Sequence, residues 1–106
     1  LGALHPNTLI AVGNLAQLLK AQGKLKEAEP LAKRDLEGCE ATLGPLHPST
    51  LIAVGILGSL LFAQKKHSEA QPYFKRAVAG FTTVLGAAHS HTKRAESDMK
   101  ANLAAL

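Results

Sequence analysis

The sequence predicts an all-α solenoid of antiparallel helical hairpins, and three observations predict it. The first is an internal repeat: the stretch from Leu1 to Gly13, with Leu4-His5-Pro6 and Thr8-Leu9-Ile10-Ala11-Val12 inside it, returns 42 residues later as Leu43 to Gly55. Its opening returns again at Leu85-Gly86-Ala87-Ala88-His89, and residues 1–42 and 43–84 match at 23 of 42 positions without a gap, which duplication gives and chance does not. The second is helical periodicity within each unit. The third is the regular placement of Pro and Gly where helices start and stop. A fixed period of this length means stacked supersecondary units, each unable to bury its apolar face without a neighbour, and such arrays serve as binding surfaces.

The first helix is predicted over 6–22. Leu9, Val12, Leu15, Ala16 and Leu19 form its apolar stripe, and His5-Pro6 marks its start because a first-turn proline gives up an N–H that has no partner anyway. Gly23 ends it. The second helix, 25–42, carries Ala28, Leu31, Ala32, Leu36 and Cys39, with Pro30 near its start. The third, 48–64, copies the first through Leu51, Val54, Leu57, Gly58 and Leu61; its closing turn holds Lys65 where the first copy has Gly23, at a cost of about 1 kcal/mol if φ is positive. The fourth, 67–84, carries Ala70, Tyr73, Phe74, Val78 and Phe81, with Pro72 near its start. Gly44 and Gly86 are expected to close the second helices in left-handed conformation. The fifth, 91–106, is expected to bury Ala95, Met99, Leu103 and Leu106. The chain is thus one repeat domain over 1–106, with repeats at 1–42 and 43–84 and a partial repeat at 85–106.

Composition narrows the function. The chain has 106 residues, room for one small core and no catalytic insert, and a net charge of +4 favours acidic partners without arguing for nucleic acid. The single Cys39 excludes an internal disulfide and points to a reducing, cytoplasmic setting. No signal peptide or membrane-length apolar run is present, and a chain that starts with Leu reads as a piece of a longer array.

Small residues recur in matching pairs, Ala16 with Ala28 and Gly58 with Ala70. Together with Asn14-Leu15-Ala16, Gln22-Gly23-Lys24, Glu27-Ala28-Glu29-Pro30-Leu31 and Leu43-Gly44-Pro45-Leu46-His47-Pro48, they resemble the 42-residue tetratricopeptide repeat of kinesin light chains and nephrocystin-3-like proteins across the whole chain. The resemblance implies a right-handed solenoid of five helices, with the first helix of each unit on the concave side. It further implies a groove holding an extended peptide, whose backbone is gripped by asparagine and whose acidic groups meet basic residues. On that basis the candidate partner-binding residues are Ile10, Gly13, Asn14, Gln17 and Lys20 in the first unit. Ile52, Gly55, Ile56, Ser59 and Phe62 follow in the second, and Lys93, Arg94 and Asp98 in the third. An amide such as Asn14 offers a donor and an acceptor to a peptide bond, Lys20, Lys93 and Arg94 suit carboxylates, and Gly13 and Gly55 permit close backbone approach.

Two departures from the family pattern stand out. Asparagine is present as Asn14 but becomes Ile56 and then Asp98. Asp35 stands where the second repeat has Ala77 and the family a small residue; a carboxylate there is either buried, at a cost unless it is paired, or reaches water through helix drift or partial exposure, and the second is expected because unpaired carboxylates are rarely buried.

Other functions are unsupported by the residues. His5, His47 and His89 recur once per linker and are read as helix caps or packing residues, and no second Cys or paired histidines at i, i+4 complete a zinc site. His67 is read as a partly packed replacement for Leu25. No phosphate loop, nucleophile elbow or paired-carboxylate pattern marks an enzyme, no cofactor is implied, and Cys39 is read as an inert core thiol. Scattered basic groups and a single tyrosine, Tyr73, argue against RNA. The rival to a peptide groove is a structural role, in which exposed repeat ends stack on neighbouring repeats or on a second copy, because the first helix is apolar and has no polar cap.

Overall fold

The computed structural model describes residues 6–106, and its helices fall within one residue of the predicted limits: α1 Pro6–Ala21, α2 Leu25–Leu43, α3 Pro48–Ala63, α4 His67–Leu85 and α5 Ser90–Ala105. The first copy of the linker, with the cap expected of His5, lies outside the described residues. Every regular element among the described residues is a helix.

The two later linkers are built alike. His47 and His89 take extended backbone angles before α3 and α5, and each ring Nδ1 accepts the backbone N–H two residues on, from Ser49 at 3.0 Å and His91 at 3.1 Å. Both histidines are therefore caps, satisfying one of the free amides of a helix start. The hydroxyls of Thr50 and Thr92, fully buried, donate to the carbonyls of Gly44 and Gly86 at 2.8 Å and tie each linker to the helix it feeds.

Gly44 and Gly86 differ from expectation. Their φ of +88° is positive, but ψ near 160° is extended, not left-handed helical. This region is open almost only to glycine, and it turns the chain out of the helix at once rather than winding one more residue. At the shorter turns Gly23 has φ +78° and Lys65 φ +63°, so the second copy makes the same turn with a side chain that bears the strain.

Helices pack in chain order, α1 on α2, α2 on α3, α3 on α4 and α4 on α5, while α1 meets α3 and α3 meets α5 along one face. The result is a slab of 41 × 31 × 19 Å. Because α3 has a second helix on each side, its whole predicted stripe is buried. In α1, which has a second helix, α2, on one side only, Leu9 and Ala16 are buried but Leu15 is 46% and Leu18 54% exposed; their copies Leu57 and Leu60 are at 1% and 0%. Ala16, Ala28 and Ala70 are fully buried, as the small-residue pairing predicts, and Gly58 gives its missing Cβ to the ring of Phe74. A second close approach went unpredicted: the side chains of Leu9 and Leu51 lie over Gly38 and Gly80, one leucine per repeat seated on one glycine.

Polar contacts stitch one repeat to the next. Glu29 accepts from Gln64 Nε2 at 2.7 Å and pairs with Lys33 at 3.2 Å and Lys66 at 3.6 Å, and the Gln64 hydrogen bond foremost holds its carboxyl below the usual range. Arg76 meets Glu40 at 3.0 Å.

The stripe of α5 also departs from expectation. Thr92, Ala95 and Asn102 are buried and Met99 is half-buried, whereas Leu103 and Leu106 are 48% and 60% exposed. Asn102 draws the helix round. It is fully buried, and its Nδ2 donates to the His67 carbonyl at 2.9 Å and to Gln71 Oε1 at 2.7 Å, while its Oδ1 faces His67 Nδ1 at 3.1 Å. His67 is half-buried, edge-on to Phe62 with ring centroids 4.8 Å apart.

Candidate functional site

Along the face where α1, α3 and α5 lie side by side, two cavities open between successive first helices. One, of about 180 Å³, lies between α1 and α3 over a floor supplied by Asp35 and Cys39 of α2; Leu9, Ile10, Gly13, Asn14, Gln17, Leu43, Ser49, Ile52 and Ile56 make its walls. The other, of about 500 Å³, lies between α3 and α5 over Phe74, Ala77 and Phe81 of α4, and is walled by Gln17, Lys20, Leu51, Ile52, Gly55, Ile56, Ser59, His91, Arg94 and Asp98 among others. The residues 42 later than the lining of the first cavity line the second, except that Leu85, the counterpart of Leu43, does not. The two are one site written twice by the repeat, and they share Gln17, Ile52 and Ile56 as a common wall.

The structure thus brings together Ile10, Gly13, Asn14, Gln17, Lys20, Ile52, Gly55, Ser59, Arg94 and Asp98, along with Ile56. Phe62 and Lys93 lie off the cavity walls: Phe62 packs on the core and on His67, and Lys93 is exposed beside the first turn of α5. Arg94 turns its Nε to Asp98 Oδ1 at 3.4 Å, one turn on, so part of its charge is already met within α5. Lys20 has no ion-pair partner among the described residues. No group of three or more potential metal ligands occurs among them either.

Sequence reasoning missed the floor. Asp35 is not partly solvated, as expected, but buried at 6% exposure. Gly13 is the reason: a Cβ there would stand 2.8 Å from Asp35 Oδ2, so the bare backbone of α1 leaves room for the carboxylate against it. At the equivalent place one repeat on, nothing lies within 4 Å of the Cβ position of Gly55, because Ala77 is too short to fill the space. The Cys39 thiol donates to Asp35 Oδ1 at 3.5 Å, and no other donor among the described residues reaches the carboxylate. Burial outweighs that weak bond and raises the Asp35 carboxyl above its usual range. Burial, and then the charge of Asp35, push the Cys39 thiol up to about 11, so Cys39 is an inert core thiol as expected. Comparing each unit with its copy carries the signal: Ala32 against Phe74, Asp35 against Ala77 and Cys39 against Phe81 are the substitutions in the floor.

Asp35→Ala is expected to stabilise the fold by about 1 kcal/mol at neutral pH. The gain in helix propensity and the loss of an unpaired buried charge outweigh the space left over Gly13. A domain of this size then melts roughly 4–8 °C higher. An acid whose pKa is raised by folding costs stability as pH rises through the window between its ordinary value of 3.8 and its folded value. The advantage of Asp35→Ala is therefore greatest above that window and fades as pH falls through it; thermal melts at pH 7 and pH 4 check both signs.

Comparison with known proteins agrees with this architecture. No curated protein matches the chain. No described helix is long and apolar enough to cross a membrane. Residues 7–83 match the family described as tetratricopeptide repeat, a repeat that mediates protein–protein interactions. With two full helical hairpins, a third begun, and that match covering most of its length, the chain belongs to the tetratricopeptide-repeat family.

Proposed function

We propose that this chain is a non-catalytic interaction module that holds a short extended segment of a partner protein along the α1, α3 and α5 face. The observation that carries this reading is the pair of equivalent cavities set one repeat apart and sharing a wall, an arrangement that accepts successive side chains of one extended strand. Asn14 and Gln17 at the first cavity offer amides to the peptide backbone, and Lys20 at the second attracts an acidic residue. The 42-residue period favours the kinesin-light-chain type of repeat. Repeats at 1–42, 43–84 and 85–106 then act as a stretch of a longer cytoplasmic array.

A structural role is the second reading, and the exposure of Leu15 and Leu18 favours it, since the same positions are buried in the next repeat. In that role the α1 face receives a neighbouring repeat or a second copy. The readings separate with a set of aspartate- and glutamate-rich decapeptides. Asn14→Ala combined with Lys20→Ala is expected to weaken binding roughly tenfold, the loss of one amide and one charge contact, with helicity unchanged. Unchanged binding, together with a dimer in sedimentation equilibrium that ignores every peptide, favours the structural role.

A further inference from the structure

Among the cavities, buried polar groups and exposed faces of this chain, the floor of the α1–α3 cavity carries an inference beyond peptide binding as such. Asp35 is 94% buried by its 6% exposure, lies at the bottom of an open cavity, and has no cation beside it among the described residues. Its Oδ1 takes only the Cys39 thiol, which leaves Oδ2 against the bare backbone of Gly13 at the cavity floor. Folding has already removed much of the water around this carboxylate, so part of the cost that usually cancels a buried ion pair is met before any ligand arrives. The walls above it are mostly aliphatic, from Leu9, Ile10, Ile52 and Ile56, while Asn14, Gln17 and Ser49 bring side-chain oxygens.

We infer that the α1–α3 cavity is a specificity subsite for a lysine side chain of the bound peptide, with its ammonium on Asp35 and its methylene stem along the aliphatic walls. This rests on the peptide-groove reading and adds to it the identity of one anchor. The chemistry fits lysine on three counts. A compact ammonium matches a single buried carboxylate, whereas a guanidinium presents five donors in a rigid fork. Lysine buries its stem on apolar surface while its head stays polar. Its two remaining donors have the amide and hydroxyl oxygens of Asn14, Gln17 and Ser49 within the same cavity. The cavity, about 180 Å³, is several times the roughly 30 Å³ that one water occupies. The neighbouring cavity lacks the device, because Ala77 replaces Asp35 at its floor. The groove therefore distinguishes its two subsites, and a peptide is held in one register and direction.

The test uses the 106-residue chain and three capped pentapeptides of alanine with lysine, norleucine or arginine at the centre, followed by amide NMR titration. The lysine peptide is expected to shift the amides of Gly13 and Cys39 and to bind roughly tenfold tighter than its norleucine twin, the difference that one charge-assisted contact makes. That preference should vanish in Asp35→Asn, which keeps the shape, and in Asp35→Ala, which is expected to be the more stable fold. Equal binding of lysine and norleucine peptides at these amides overturns the lysine subsite and leaves the groove standing. So does tighter binding of the arginine peptide, or a lysine preference that survives both variants. If none of the three peptides, and none of the acidic decapeptides, moves any amide of α1 or α3, the groove reading falls and the subsite falls with it.

Discussion

Leu51→Ala is expected to lower the unfolding free energy by about 3 kcal/mol, and Gly80→Ala in the same chain is expected to restore part of that loss. Leu51 is fully buried in α3, and its side chain is seated on Gly80 of α4, with Cδ1 and Cγ at 2.9 and 3.2 Å from where a Cβ would stand and Cδ2 closer still. Gly80→Ala alone therefore forces a buried leucine out of place, an overpacking cost of about 1–3 kcal/mol that exceeds the roughly 1 kcal/mol that alanine gains as a helix former. Once Leu51 is cut back, the same methyl enters vacated space and the propensity gain survives. Urea unfolding of the four proteins closes the cycle, with an expected coupling of about 1–3 kcal/mol between the two sites. Additive effects would show that α3 and α4 are not held at this distance by the leucine on its glycine. The same pair occurs as Leu9 and Gly38, so the device sets the approach of the two helices in each repeat.

The second large effect concerns the docking of α5. Asn102→Ala is expected to cost about 2–4 kcal/mol and to melt α5 before the rest, seen as early loss of amide protection over Ser90–Ala105. The variant removes a second donor from the His67 carbonyl and leaves Gln71 Oε1 without its donor in a buried place where Gln71 Nε2 already has no partner. One repeat earlier the equivalent positions are Leu60 and Leu25, an apolar pair in place of the polar one. Asn102→Leu combined with His67→Leu is accordingly expected to recover most of the stability, as Gln71 swings outward to the position that the partly exposed Glu29 occupies in the first repeat. A double variant no more stable than Asn102→Ala would show that α5 is held by its polar contacts and has no room for the leucine pair.

Asp35 ties these energetics to function. The residue that weakens the fold is the one proposed to grip a lysine, so stabilising it with alanine should cost selectivity, a trade common at binding sites.

Local periodicity and turn chemistry, repeated 42 residues apart, are enough for the hairpin order and for the limits of all five helices to within a residue; they leave the linker histidines as caps or packing residues and set the cost of a positive φ at Lys65 without deciding that φ. The family resemblance adds which face the proposed partner-binding residues share, and most of them line the two cavities. What the tertiary structure decided is what neighbouring helices cover and what they leave open. Leu15 is exposed and Leu57 buried although the local sequence is nearly the same, because α3 is packed between two second helices, α2 and α4, and α1 against one. Asp35 is buried because Gly13 of another helix withdraws to make room, and α5 turns Asn102 inward because His67 and Gln71 of α4 wait for it. Contacts between helices distant in the chain are set by shape and hydrogen-bond pairing across the gap, which no period within one helix records.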